Sequence, residues 1–216
     1  MVRLLSLGIE CFSSLVFVLP AMIIMRYTLL KKYNHNKAFM VFIFAFYSIA
    51  VFSVVGIPTV YTLRVDFSIN LIPLIDIFNS PVEYFKNTVL NVILFIPMGF
   101  LLPAIWKEYR STKKTILMGL AVSIMIELLQ IFTFRLTDID DLITNTSGTF
   151  LGYYCREKIL SRLPLKKMKN DEAVSTKYEP VIILTVTFLI AFFLKPLISN
   201  RIWDVILYSS LWESIK

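Results

Sequence analysis

Histidine occurs once in these 216 residues, cysteine twice, and charged side chains make up only 17% of the chain. A soluble domain carries about a quarter charged residues. The lone His35 sits among Lys31, Lys32 and Lys37, so most metal or nucleophile schemes built on histidine and cysteine are excluded. Cys11 and Cys155 fall in apolar runs expected near opposite membrane faces, and no disulfide is expected between them. No recognisable nucleic-acid-binding module accompanies the net charge of +7, so no nucleic-acid partner is expected.

Apolar residues instead reach 57%, with 18 phenylalanines. They gather into runs of about the length that crosses ~30 Å of hydrocarbon as a helix. This composition predicts an all-α integral membrane protein, a polytopic bundle of five to six transmembrane helices joined by short loops. The spans are expected at 4–25, 38–60, 88–106, 115–134 and, more polar, 138–155. Residues 1–161 then form one membrane domain, 162–180 a cytoplasmic linker, and 181–216 a last transmembrane helix with an interfacial tail rich in Trp203, Tyr208 and Trp212. Glu10 within the first run, and the positive cluster following it, argue against a cleaved signal peptide.

Segments 26–37 and 107–114 carry four Lys/Arg each and 156–179 carries seven, whereas 58–86 has only Arg64 and Lys86. By the positive-inside rule both termini are expected outside the cytoplasm.

Two stripes of polar and small residues interrupt the apolar pattern. Gly119, Ser123, Glu127 and Gln130 are spaced by four, four and three; Asp138, Asp141, Asn145, Gly148 and Gly152 by three, four, three and four. Each spacing follows one helical face, and the two faces are expected to meet each other. Thr137 is the expected N-cap of the second helix, with Asp140 completing a capping box. Pro73 and Pro81 break the apolar segment 61–86, which is expected to lie on the membrane or fold back into it. In the third span Asn87 and Asn91 share a face, and Pro97 cannot donate to the carbonyl of Ile93.

Counting ~1.5 Å per residue from the outer end of its span puts Glu127 about 10 Å deep. Ionisable groups at such depth are functional candidates by default. Asn91, Glu127, Gln130, Arg135, Asp138, Asp141 and Asn145 are therefore expected to converge on one extracytoplasmic, outer-leaflet pocket. Plainer roles stand beside that one. Asp138 and Asp140 suit a helix start, Gln130 suits interhelical hydrogen bonding, Arg135 suits neutralisation of nearby acids, and Gly148 and Gly152 suit close packing.

"SINLIPL" (68–74), "NVILFIPMGFLLP" (91–103) and Glu127-x-x-Gln130 leading through Arg135, Asp138 and Asp141 to "NTSGTFLG" (145–152) resemble the VanZ-like family of bacterial membrane proteins. The resemblance covers about residues 66–155 and carries over Asn91, Glu127, Gln130, Asp138, Asp141 and Asn145. It implies a multi-pass protein of the bacterial plasma membrane acting in the cell envelope and lowering sensitivity to teicoplanin and related lipoglycopeptides. A membrane lipid or lipid-linked envelope precursor is the expected partner, with no cofactor and no bound metal. The alternative is a membrane enzyme acting on a lipid or polyprenyl-phosphate headgroup, with Glu127, Asp138 and Asp141 as catalytic candidates. A small carrier and a scaffold are the remaining classes.

Overall fold

Helix dominates the computed structural model, which describes residues 2–28, 33–65, 69–70, 72–133, 137–162 and 178–208. The elements run α1 (Val2–Thr28), α2 (His35–Val55), β1 (Ile69–Asn70), α3 (Asp76–Asn79), α4 (Pro81–Ile105), a 3-10 turn (Lys107–Tyr109), α5 (Thr112–Gln130), β2 (Thr137–Asp138), α6 (Ile139–Arg162), α7 (Glu179–Leu189), a π-helical stretch (Ile190–Leu194) and α8 (Lys195–Leu207). Among the described residues four helices are long and apolar enough to cross a membrane: α1, α2, α4 and the continuous 29 residues Glu179–Leu207. The chain is an all-α membrane protein, its only described β pairing being the two-residue parallel ladder of β1 with β2. It divides into two compact units, Arg64–Glu179 and Met1–Leu63 with Pro180–Lys216. The expected linker falls mostly in 163–177, outside the described residues, as do 209–216 of the expected tail.

In the unit of α1, α2, α7 and α8, polar groups are paired locally. Ser13 and Ser48 donate to the carbonyls of Ile9 and Phe44, four residues back, which satisfies their hydroxyls among apolar neighbours. Asn34 caps α2 through the amide of Lys37, and Gly56 ends it in the left-handed region at φ 70°. The last apolar run does not end at Lys195: the helix runs on to Leu207. Lys195 is buried in it and donates to Glu10 Oε2 at 2.9 Å. Just before it the π-helical turn shifts the ladder, and the carbonyl of Phe192 accepts from the amide of Val60.

In the other unit α6 is the central element. It runs parallel to α4 and antiparallel to α5, as the pairs Val92–Gly148 and Ile96–Gly152 on one side and Ser123–Asn145 on the other show. The expectation that the two polar stripes simply face each other is corrected. Only Gly119, Ser123 and Glu127 meet α6, through Thr149, Asn145 and Asp138. Gly148, Gly152 and Asp141 turn to α4. At ~100° per residue Asp141, Gly148 and Gly152 lie within about 40° of one another, as do Asp138, Asn145 and Thr149, with about 60° between the groups. One stripe thus serves two neighbours.

A Cβ on Gly152 would lie 2.0 Å from the carbonyl oxygen of Ile96, and one on Gly148 2.4 Å from that of Val92. Backbone meets backbone there, the arrangement small residues permit in membrane bundles. Pro81 opens α4 at its first turn, where its missing N–H costs nothing. Pro97 and Pro103 lie inside α4 without ending it.

Gly152→Ala is expected to push α4 from α6 and cost about 1–3 kcal/mol, measured as a lowered thermal midpoint of the purified protein in detergent. Gly8→Ala, where an added Cβ meets nothing within 4 Å, is the neutral control. Glu10→Gln is expected to destabilise the fold by more than the double change Glu10→Gln with Lys195→Met, because only the single variant leaves a buried cation unpaired. Equal losses in the two would refute that account.

Candidate functional site

Three ties fasten the segment before α4 to the α5–α6 connection. The amide of Arg64 donates to the carbonyl of Phe132 at 3.1 Å. Ile69 and Asn70 pair with Thr137 and Asp138 in the parallel ladder. The amide of Leu74 donates to Asp140 Oδ2 at 2.8 Å. Leu74 has φ 64°, a conformation that non-glycine side chains rarely adopt. Asp140, 5% exposed, holds that strained turn closed.

The start of α6 differs from expectation. Thr137 does not cap it: its hydroxyl donates to the carbonyl of Glu127 at 3.2 Å. Asp138 is the cap, its Oδ1 accepting from the amide of Asp140 at 3.0 Å. The expected capping box is replaced by this bond and by the tie from Asp140 to Leu74.

Glu127 is buried at 4% exposure, and its Oε2 accepts from the amide of Asp138 at 3.0 Å. A carboxylate from α5 thus receives one of the backbone donors at the start of α6, which its own helix cannot satisfy. Asn91 Nδ2 donates to Asp141 Oδ1 at 2.6 Å, linking α4 to the next turn of α6. Deeper, Asn145 Nδ2 donates to Ser123 Oγ at 2.9 Å. Gln130 Oε1 and Asn145 Oδ1 are buried and accept no hydrogen bond among the described residues. Arg135 lies outside the described residues.

The sequence-derived set therefore separates into two kinds. Asp138 and Asp141 line an open cleft of about 190 Å³, together with Asp140, Thr144, Ser80, Glu83, Tyr84, Asn87 and Thr88. Glu127 and Asn145 are spent on joining α5 to α6, and Asn91 orients Asp141. Gln130 ends α5, its carbonyl accepting from the hydroxyl of Thr133 at 3.0 Å. Sequence reasoning gave no site role to Ser80, Glu83, Tyr84, Thr88 or Thr144. The helical spacing of Ser80, Glu83, Tyr84, Asn87 and Asn91 carried that signal, because it is one face of α4's first turns. Among the described residues no three histidine, cysteine or acidic side chains come together to hold a metal ion. The cleft is acidic, with hydroxyl and amide groups at its edge. Such a lining favours ligand groups that donate hydrogen bonds or carry positive charge.

Asp140→Ala strands the amide of Leu74 and is expected to cost about 1–3 kcal/mol, visible as faster hydrogen exchange over 72–79. Asp140→Asn keeps an acceptor oxygen and is expected to lose less. Glu127→Gln likewise keeps an acceptor for Asp138 and should leave exchange at the start of α6 near wild type, whereas Glu127→Ala should accelerate it.

The VanZ/LLP1 family model matches residues 44–160. Protein VanZ of Enterococcus faecium is 45% identical over 69 residues, which cover 32% of this chain and 42% of that protein. The aligned stretch thus spans less than half of the relative's length. No solved structure matches the chain. The match over more than half of the chain carries the assignment that the ordered motifs suggested: this membrane protein belongs to the VanZ/LLP1 family.

Proposed function

We propose that this chain is a multi-pass protein of the bacterial plasma membrane that lowers sensitivity to teicoplanin and related lipoglycopeptides through the acidic cleft at the start of α6. In this reading α5 and α6 also lie in the bilayer, giving six spans with both termini and the cleft on the extracytoplasmic side. Exposed Leu117, Ile124, Leu128, Ile143, Phe150 and Leu151 on those two helices support it, since they offer an apolar exterior to lipid. So do the four Lys/Arg of 107–114, which join α4 to α5 at the end away from the cleft.

The observation that carries the proposal is the cleft itself, in which Asp138, Asp140 and Asp141 stand beside Glu83 at the mouth of a membrane helix bundle. A lipid or lipid-linked envelope precursor would present sugar hydroxyls or amino groups to these acceptors. Teicoplanin carries an acyl chain and anchors near its membrane-bound target, so a protein that binds or alters that surface affects it more than vancomycin, which has no such chain. The enzyme alternative, acid–base work on a lipid headgroup, rests on Asp138 and Asp141 lining one cleft. Glu127 is the weakest of its three candidates, because it is buried at 4% exposure and is not among the side chains that line the cleft.

Expressed in a sensitive Gram-positive host, the wild-type chain is expected to raise the inhibitory concentration of teicoplanin at least fourfold, on the order of 1 kcal/mol in effective binding, with vancomycin little changed. Asp141→Asn retains the shape and removes the charge, and at equal membrane abundance it is expected to abolish protection. No protection by the wild type, or full protection by Asp141→Asn, would sink the proposal. Altered lipid turnover that also requires Asp141 would favour the enzyme.

A further inference from the structure

The far end of α6 carries a second polar cluster that the acidic cleft does not use. Arg156 follows Asp140 by about 24 Å of helix at ~1.5 Å per residue. It is only 8% exposed. Arg110 follows the 3-10 turn after α4, and the hydroxyl of Tyr153, one helical turn before Arg156, donates to its carbonyl at 2.7 Å. That bond draws the two arginines to one place. The Nε atoms of both guanidiniums are buried and have no hydrogen-bond partner among the described residues. Burial first, and then repulsion from Arg156, hold Arg110 below its ordinary pKa, against the opposing pull of Glu157 and Glu108.

Two like charges drawn together, Arg156 buried and Arg110 half-buried, call for an anion. The one Arg156 has is Glu157, the next residue of the same helix. Neighbouring helical side chains do not face each other, so this pairing is geometrically poor. The Glu157 side chain is also 49% exposed and can leave for water. Around the pair, segments 107–114 and 156–158 hold six Lys/Arg against two Glu. Ile159, about 60° from Arg156 around α6 at ~100° per residue, is exposed and offers apolar surface beside the charges.

We propose that Arg110 and Arg156 form a binding site for a phosphate group, carried by the headgroup of an anionic lipid in the leaflet beside the 107–114 loop. Glu157 holds the place of the phosphate when no lipid is bound. Planar guanidiniums suit phosphate oxygens because each can give two parallel hydrogen bonds. The exposed Ile159 next to them favours a lipid over free phosphate, since it covers part of an acyl chain as the headgroup binds. This site is separate from the acidic cleft, and its test does not depend on the drug phenotype.

The full chain in a neutral detergent would be titrated with dioctanoyl phosphatidylglycerol and, separately, with inorganic phosphate. Native mass spectrometry would count retained lipid. Arg110→Gln and Arg156→Gln are each expected to weaken lipid binding about tenfold or more, the loss of a charge-assisted bond. Lys113→Gln, an exposed change in the same loop, is expected to matter less than about twofold. Glu157→Gln removes the competing carboxylate and is expected to tighten binding, which a merely structural role for Arg156 does not predict. Equal weakening by Lys113→Gln would overturn the site in favour of diffuse surface charge. Inorganic phosphate binding as tightly as the lipid would overturn the lipid assignment, and no binding of either would overturn the whole proposal. Arg110→Gln, on the half-exposed turn, keeps the test decisive should Arg156→Gln fail to fold.

Discussion

Backbone-to-backbone contact between α4 and α6 governs the arrangement of the Arg64–Glu179 unit. Gly148 and Gly152 place the α6 backbone against the carbonyls of Val92 and Ile96, so close that even a methyl group is excluded. Helices gain little from the hydrophobic effect inside lipid, where the surroundings are as apolar as the helices. Close van der Waals contact and weak Cα–H···O bonds take its place. With α6 seated at this depth on α4, Asp141 falls beside Asn91, and the start of α6 falls beside the first turns of α4. The cleft is a consequence of that register.

The second constraint is polar. The start of α6 has backbone donors that its own ladder cannot satisfy, and it receives them from three sources. Glu127 accepts from Asp138, Asp138 accepts from Asp140, and Thr137 and Asp138 pair with β1 in the short parallel ladder. Asp140 then accepts from Leu74, closing a turn that its own backbone disfavours. The carboxylates near the membrane are therefore not interchangeable. Glu127 holds segments together, whereas Asp138, Asp140 and Asp141 both do so and line the cleft. An intramembrane acid earns suspicion of function by its cost, but here part of that cost is met by structural hydrogen bonds.

The same economy governs the other unit, where Lys195 and Glu10 satisfy each other within apolar helices. Chain segments that are 185 residues apart in sequence are fixed against each other by that ion pair. At the far end of α6, among the described residues, Arg156 pairs only with the half-exposed Glu157 beside it and the buried Nε atoms of Arg110 and Arg156 have no partner, and that difference is what singles them out.

Local sequence was sufficient for the helices, because apolar runs of membrane length and the glycine, proline and asparagine at their ends act over a few residues. It also picked out Asp138, Asp141 and Asn91, since helical periodicity marks a polar face wherever it goes. Sequence could not say which neighbour each residue of that face would meet. The 60° that separates Gly152 from Thr149 is decided by two other helices and not by spacing. Nor could it assign Asp140, whose partner is a main-chain amide 66 residues away with no side-chain signature. Nor could it pair Lys195: a charge marks the end of an apolar run unless another segment brings its counter-ion, and only the tertiary structure brings Glu10.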